Sequence, residues 1–392
     1  MNQKSKLTFG KIFERFSYGC GDFGCNIIYT AMSAFLLFSV SASWASTPKL
    51  VYVFITYNLV STVIYTAINV PYSALNALMT QDPYERSVLS IFRNLLATAG
   101  TLTINTFTLP LVEYFGNNAA AWTKTFVVFG FVAVAAFLCT FFGTKERVRA
   151  AENEGEVQTE DVPFVTGIKA LFKNKYWVIV TVASFVVFFV IIMYAMGNVY
   201  YCQYVLYDMG QYSWVSNSIS IAQFAVMFVT PAFMKKFGKT AVYEAGMVVM
   251  GLGFLGFAVL GGSSTIVMII CNVLKGCGVG MAGGMALGMV ADTITYGTKK
   301  TGIDTVGLGN AGVSAAQKIG LGLGTAVFGW VLNGAGYDGS LDAQGIAQPE
   351  SVSTAINFLY NWLPFIMVIA IFVLLVILYH CERDLKKMEA AE

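Results

Sequence analysis

The sequence predicts an all-α, polytopic membrane protein. Three observations carry that prediction. The 392 residues are 56% hydrophobic and only 12% charged, the apolar residues come in runs long enough to cross a bilayer, and basic residues favour alternate ends of those runs. A soluble domain carries about 25% charged residues, and a chain with half of that cannot cover its surface with polar groups. The composition therefore excludes a disulfide-stapled secreted domain, a nucleic-acid binder and an ordinary cytosolic enzyme. A lone His380 leaves no His-based metal site and no Ser-His-Asp arrangement. The seven cysteines include no CxxC pair and read as small buried hydrophobes.

About 20 apolar residues are needed to cross the ~30 Å hydrocarbon layer. Ten runs meet that rule: 18–40, 50–78, 88–112, 124–143, 177–206, 214–234, 241–261, 265–296, 307–334 and 355–380. The first follows Lys4, Lys6, Lys11 and Arg15 and is long enough to be a full span, not a cleavable signal. Phe, Val, Ile and Gly dominate the runs, and none alternates as a barrel strand would. Between the fourth and fifth lies the one long polar stretch, 144–175, basic at Lys145, Arg147 and Arg149 and then acidic from Glu152 to Asp161. It lacks apolar periodicity and reads as a flexible cytoplasmic linker. The expected organisation is a helix bundle over 1–143, the linker over 144–175 and a six-helix bundle over 176–392.

Basic residues set the topology. With both termini in the cytoplasm, twenty of the 24 Lys and Arg fall on that side or at its edge. Only Lys49 and Lys124 fall outside, while Lys275 and Lys318 lie within spans.

Ionisable residues inside a bilayer are costly and face a cavity or a partner. Asp22 lies about a turn into the first span, Arg93 in the first turns of the third, and Lys275 and Lys318 near the middle of later ones. Lys318 has no snorkelling route and is expected to face a cavity and to be paired there. Lys275 precedes Gly276, Gly278 and Gly280, which reads equally as helix packing, gating or ligand contact. The glycines of 276–288 and 320–324 read as close-packing positions. Asp292 with Tyr296 and Lys299/Lys300 reads as a gate or charge-pair element at a cytoplasmic helix end. Tyr200, Tyr201, Tyr204 and Tyr207 read as an interfacial aromatic belt.

Five stretches in order carry a family likeness: Tyr18-Gly19-Cys20-Gly21-Asp22-Phe23-Gly24, Tyr65-Thr66-Ala67-Ile68-Asn69-Val70-Pro71-Tyr72, Asp82-Pro83-Tyr84-Glu85-Arg86 with Arg93, Ala291-Asp292-Thr293-Ile294-Thr295-Tyr296-Gly297, and Lys318-Ile319-Gly320. Together they resemble the glycoside–pentoside–hexuronide:cation symporters, a branch of the major facilitator superfamily. The resemblance implies a transporter of a sugar, glycoside or hexuronide in the cytoplasmic membrane, not an enzyme. It implies no cofactor beyond a coupling cation, Na⁺ or H⁺, and its partners are a small sugar and the lipid bilayer; the chain is expected to be a monomer. It further implies a substrate pocket including Asp22, Asn26, Tyr65, Thr66, Asn69, Arg93 and Lys318. Asn26 and Asn69 stand where the melibiose carrier has sugar-binding carboxylates, so hydrogen-bonding capacity is kept and charge is lost. Arg93 could hold a carboxylate bidentately, as a hexuronide would require, or merely anchor a helix end.

Family members have twelve helices. Here Phe35-Leu36-Leu37-Phe38 resembles the end of their first helix, and Ser39-Val40-Ser41-Ala42-Ser43-Trp44 resembles the end of their third. The second helix and most of the third have no counterpart, which gives about ten spans, four before the linker and six after. The missing helix carries the acidic cation pair of the resembling carriers. A shortened, non-transporting scaffold or sensor is the alternative that this departure raises.

The charge pattern makes a topological prediction. In the variants Ser46→Cys, Met209→Cys and Ser340→Cys, the introduced thiol should react with an impermeant maleimide added outside intact cells. Reaction from the cytoplasmic side alone would overturn the assigned orientation.

Overall fold

The computed structural model describes residues 9–38, 40, 44–80, 83–147, 163–261, 264–343 and 346–391. Ser39 and Ser41–Ser43, where the expected deletion falls, lie outside the described residues. Every regular element among those described is helical. The chain divides into two compact units, Met1–Val157 and Gln158–Glu392.

In the first unit, α1 (Phe9–Phe38) packs against both α4 (Pro83–Tyr114) and α5 (Ala119–Gly143). Between them in sequence, α2 (Ser46–Asn58), a π-helical turn (Leu59–Ile64) and α3 (Tyr65–Met79) run on as one segment. The glycines of the first motif explain α1's central place. A methyl on Gly19 would lie 2.6 Å from the Phe92 carbonyl oxygen of α4, and one on Gly21 would overlap the Tyr72 ring of α3. One on Gly24 would crowd Phe137 and Ala133 of α5. Three neighbours thus approach the α1 backbone on three sides. The tight turn after α4 uses Gly116 and Asn117 at positive φ, and Asn118 then caps α5 by accepting the Ala121 N–H at 2.9 Å.

The second unit holds α6 (Phe164–Lys173), α7 (Lys175–Tyr204), α8 (Tyr212–Phe237), α9 (Lys239–Leu260), α10 (Thr265–Thr301) and α11 (Val306–Gly334). After α12 (Gly339–Ala343), a last long segment runs through α13 (Glu350–Asn357), a π-helical turn (Phe358–Trp362) and α14 (Leu363–Leu378), followed by α15 (Cys381–Ala391). Its main core is drawn from α7, α9, α10 and α14. Helix α6 revises part of the linker expectation. Gly167 and Leu171, four residues apart, are buried, and Leu171 joins the core, so residues 164–173 form an amphipathic helix. Asn174 then starts α7, accepting the Trp177 N–H at 3.3 Å and donating to the Thr293 carbonyl of α10 at 2.7 Å.

Seven helices among the described residues are long and apolar enough to cross a membrane. The other three expected spans, 18–40, 50–78 and 214–234, coincide with α1, the α2–α3 segment and α8. Phe131, Phe141, Phe142, Trp330 and Ile377 are exposed, the outward apolar surface a bilayer covers.

The glycine-rich α10 packs closely where its sequence suggests. Gly276 and Gly280 lie on α8, and Gly278 lies on α9, where an added Cβ would stand 2.5 Å from the Gly246 oxygen. Gly283 faces open space instead. Gly276→Ala should therefore lower stability by about 1–3 kcal/mol, because α8 must move off the Ile219 carbonyl. Gly283→Ala should be neutral or stabilising by about 1 kcal/mol. Thermal denaturation of the purified protein in detergent distinguishes the two.

Candidate functional site

The first unit gathers five of the seven expected pocket residues. Asp22 and Asn26 come from one face of α1, Tyr65 and Asn69 from α3, and Arg93 from α4. Arg93 donates through Nε to Asp22 Oδ2 at 3.2 Å and through Nη2 to Asn69 Oδ1 at 3.4 Å. Its guanidinium stacks 5.1 Å from the Tyr72 ring centre. Tyr72 in turn stacks on Tyr18 at 5.0 Å and donates its hydroxyl to the Tyr18 carbonyl at 2.7 Å. Tyr65 meets Tyr29 edge-on at 5.2 Å. Asn26 donates its amide to the Asp22 carbonyl one turn back, at 2.8 Å. The Thr66 side chain lies outside the described residues.

This arrangement gives Arg93 a role beyond anchoring a helix end, since one guanidinium ties α1, α3 and α4 together. Its side chain is 29% exposed and that of Asp22 11%, so the pair is only partly covered. A bare guanidinium is costly against hydrocarbon, and Asp22, Asn69 and the Tyr72 face cover most of this one. Tyr72 was visible in the second motif but carried no assignment; its contact with Arg93 depends on the fold.

In the second unit, Lys318 stands on an exposed face of α11, and among the described residues no hydrogen bond or ion pair reaches it. Asn310, Ser314, Gly322 and Thr325 share that exposure, a stripe too polar for lipid contact. Lys275 has the opposite setting. It is fully buried in α10, with Nζ 4.7 Å from the Phe254 ring, 4.1 Å from Phe257 and 4.2 Å from Tyr360. Nζ donates to Asn361 Oδ1 at 3.1 Å. The Tyr360 hydroxyl donates to Asn198 of α7, and Asn272 binds the Val215 carbonyl of α8 at 3.0 Å. Lys275 is thus enclosed within the helix packing by three aromatic faces and an amide.

Asp292 forms a charge pair, but with a different lysine from those beside it in sequence. Both its oxygens lie 2.7 Å from Lys239 Nζ, at the start of α9. Tyr296 is buried edge-on against Tyr176 at 4.9 Å, and Lys300 reaches its hydroxyl at 3.5 Å. The aromatic belt is corrected too. Tyr201 and Tyr204 are buried among Phe257, Tyr337 and Tyr360, and of the four tyrosines only Tyr207 is fully outward. All seven cysteines are free thiols, five of them buried. Among the described residues, no His, Cys, Asp and Glu cluster could hold a metal ion.

The Lys275 cage separates charge from volume. Lys275→Met, which keeps the stem, should hold stability within about 1.5 kcal/mol, since replacing a buried charge by a similar apolar chain is often neutral. Lys275→Ala should cost about 2–5 kcal/mol through the cavity it leaves. Melting temperatures of the purified variants test both.

Comparison with known proteins agrees with this architecture. The chain is 27% identical over 424 aligned residues to the isoprimeverose transporter of Lactiplantibacillus pentosus, covering 90% of this chain and 85% of that one. That alignment is longer than this chain's 392 residues, so the relative carries positions with no counterpart here. It is 25% identical over 391 residues to the uncharacterized symporter YnaJ of Bacillus subtilis, covering 83% of each. In fold it is similar to the crystal structure of the nucleoside transporter NupG, with a TM-score of 0.53 at 16% identity over 93% of this chain and 90% of that one. Residues 7–383 match the MFS/sugar transport protein family. The chain belongs to that family, as a multi-pass membrane transport protein and not an enzyme.

Proposed function

We propose that this protein is a secondary transporter of a sugar, glycoside or hexuronide, working by alternating access around a site near the membrane midplane. The observation that carries this reading is the partly open Asp22–Arg93 pair, tied to Asn69, inside the first unit. Carboxylate, guanidinium and amide offer donors and acceptors to sugar hydroxyls at fixed positions. The polar stripe around Lys318 supports a polar, transport-related surface within the second unit as well. A relative named as an isoprimeverose transporter supports a sugar as cargo. Nothing favours the non-transporting alternative.

The proposed organisation is ten spans, four in 1–143 and six in 176–392, with both termini cytoplasmic, in a monomer. The second helix of the resembling carriers and most of the third are absent, a reading supported by the unmatched positions in the longer relative. Coupling suffers accordingly. Hard cations take several oxygen ligands with net negative charge, and Asp22 is already committed to Arg93. Transport is therefore expected to be driven by the sugar gradient and not by Na⁺.

Uptake of labelled isoprimeverose into proteoliposomes tests the reading. The intact protein should exceed empty liposomes, while Asp22→Ala and Arg93→Ala should each fall by about tenfold or more, since each leaves the other charge stranded. An imposed Na⁺ gradient should not accelerate entry. Na⁺-driven accumulation would overturn the uncoupled mechanism. Uptake unaffected by either substitution would remove the site from this pair.

A further inference from the structure

Helix α4 carries a polar stripe that the Asp22–Arg93 cluster does not use. Asn94, Thr98, Thr101, Asn105 and Thr108 follow one another at steps of four, three, four and three residues. At about 100° per residue, those steps keep all five within an arc of roughly 80° on one face. From Asn94 to Thr108 the stripe rises about 21 Å, roughly two-thirds of the ~30 Å hydrocarbon layer. It begins one residue beyond Arg93.

The packed side of α4 is a different one. A methyl on Gly100 would stand 3.1 Å from the Phe23 carbonyl oxygen of α1, and Ile104 and Leu111 pack on the apolar cluster shared by α1 and α5. That side lies about 100° around the helix from the stripe. The stripe itself is open, with Asn94 and Thr101 exposed and Thr98, Asn105 and Thr108 half-buried. Of the seven long apolar helices among the described residues, α4 is the least buried. Thr98, Thr101 and Thr108 each donate the hydroxyl to the carbonyl one turn back, at 3.0, 3.3 and 2.6 Å. Their protons are thereby used within the helix, and the oxygen lone pairs remain as acceptors. Asn94 makes no side-chain hydrogen bond among the described residues, so its amide offers two donors and an acceptor. Back-bonded threonines are tolerated against lipid, whereas an unsatisfied amide is costly there.

We propose that this face of α4 is a hydrated track for the transported sugar, whose hydroxyls donate to Thr98 and Thr101 and exchange bonds with Asn94. The proposal rests on the sugar-transport reading and extends it beyond the Asp22–Arg93 cluster. The stripe contains no charged side chain, so it selects by hydroxyl pattern and not by charge. Movement through a membrane needs sites that bind well enough to be entered and weakly enough to be left. A ladder of similar neutral hydrogen bonds, each weak by itself, meets that requirement.

Two measurements in proteoliposomes of mixed orientation test it. In the first, Thr98→Cys and Thr101→Cys should react with a membrane-impermeant thiol reagent above the background of the native cysteines. Thr103→Cys should not, because Thr103 lies on the opposite face of α4, although its hydroxyl is likewise bonded one turn back, to Ala99 at 2.8 Å. In the second, labelled isoprimeverose uptake is compared among valine variants, which keep the shape and lose the hydroxyl. Thr98→Val and Thr101→Val should each raise KM about fivefold with kcat little changed, the loss of one neutral hydrogen bond. Thr103→Val should leave both unchanged. If a valine variant does not fold, the cysteine reactivities decide. Stripe cysteines as unreactive as Thr103→Cys would overturn the track. Normal uptake in the unsubstituted protein with an unaltered KM in both stripe variants would overturn the track and leave the transport reading standing. No uptake by the unsubstituted protein would overturn the transport reading, and the track with it, even if the labelling pattern held.

Discussion

A charge can remain inside an apolar slab only if something replaces the water it has given up. The two units meet that constraint differently. In the first, Arg93 is matched by Asp22 from another helix, by the Asn69 amide and by the face of Tyr72. In the second, Lys275 is matched without an acid, by three aromatic rings and the Asn361 amide. Both solutions draw groups from separate helices, so each charge holds its neighbours in register. The difference has a functional side. Arg93 keeps an open edge, and Lys275 keeps none.

Such cross-helix contacts need short interhelical distances, and small residues supply them. Gly19, Gly21 and Gly24 let α4, α3 and α5 close on α1, which brings Asp22 within reach of Arg93. Gly253 of α9 does the same beside Lys275, where an added Cβ would stand 2.7 Å from the lysine's own backbone nitrogen. Without the glycines, the charges would be too far apart for their partners to reach.

Composition and run length were enough to read the helical membrane fold, because a bilayer imposes a length and a polarity that no soluble core does. Asp22 and Arg93 could be singled out because an ionisable residue inside an apolar run is conspicuous, whereas Asn69 entered only through the family resemblance. Their pairing could not, because it depends on the rotation of three helices. The Lys275 cage was opaque for a related reason: Phe254, Phe257 and Tyr360 are ordinary span residues in sequence, and only packing turns their faces toward one ammonium. Helix α6 escaped notice because a helix of ten residues offers just Gly167 and Leu171 as its buried pair. Asp292 was paired in prospect with nearby lysines, but its partner, Lys239, comes from the preceding span.

The π-helical turn at Phe358–Trp362 lies within the final span. It delivers Tyr360 and Asn361, consecutive residues, to the same ammonium, and then passes into α14, whose Val368, Ile371 and Leu375 enter the core. A turn of this kind holds one residue more than an α-helical turn. The extra residue is absorbed within that turn, so the faces before and after it stay in phase. Loss of a single residue there would restore α geometry with α14 still in register, but consecutive residues of an α-helix stand about 100° apart, so Tyr360 and Asn361 could no longer both face the Lys275 ammonium. The cage, and not the α14 core, depends on the length of this segment.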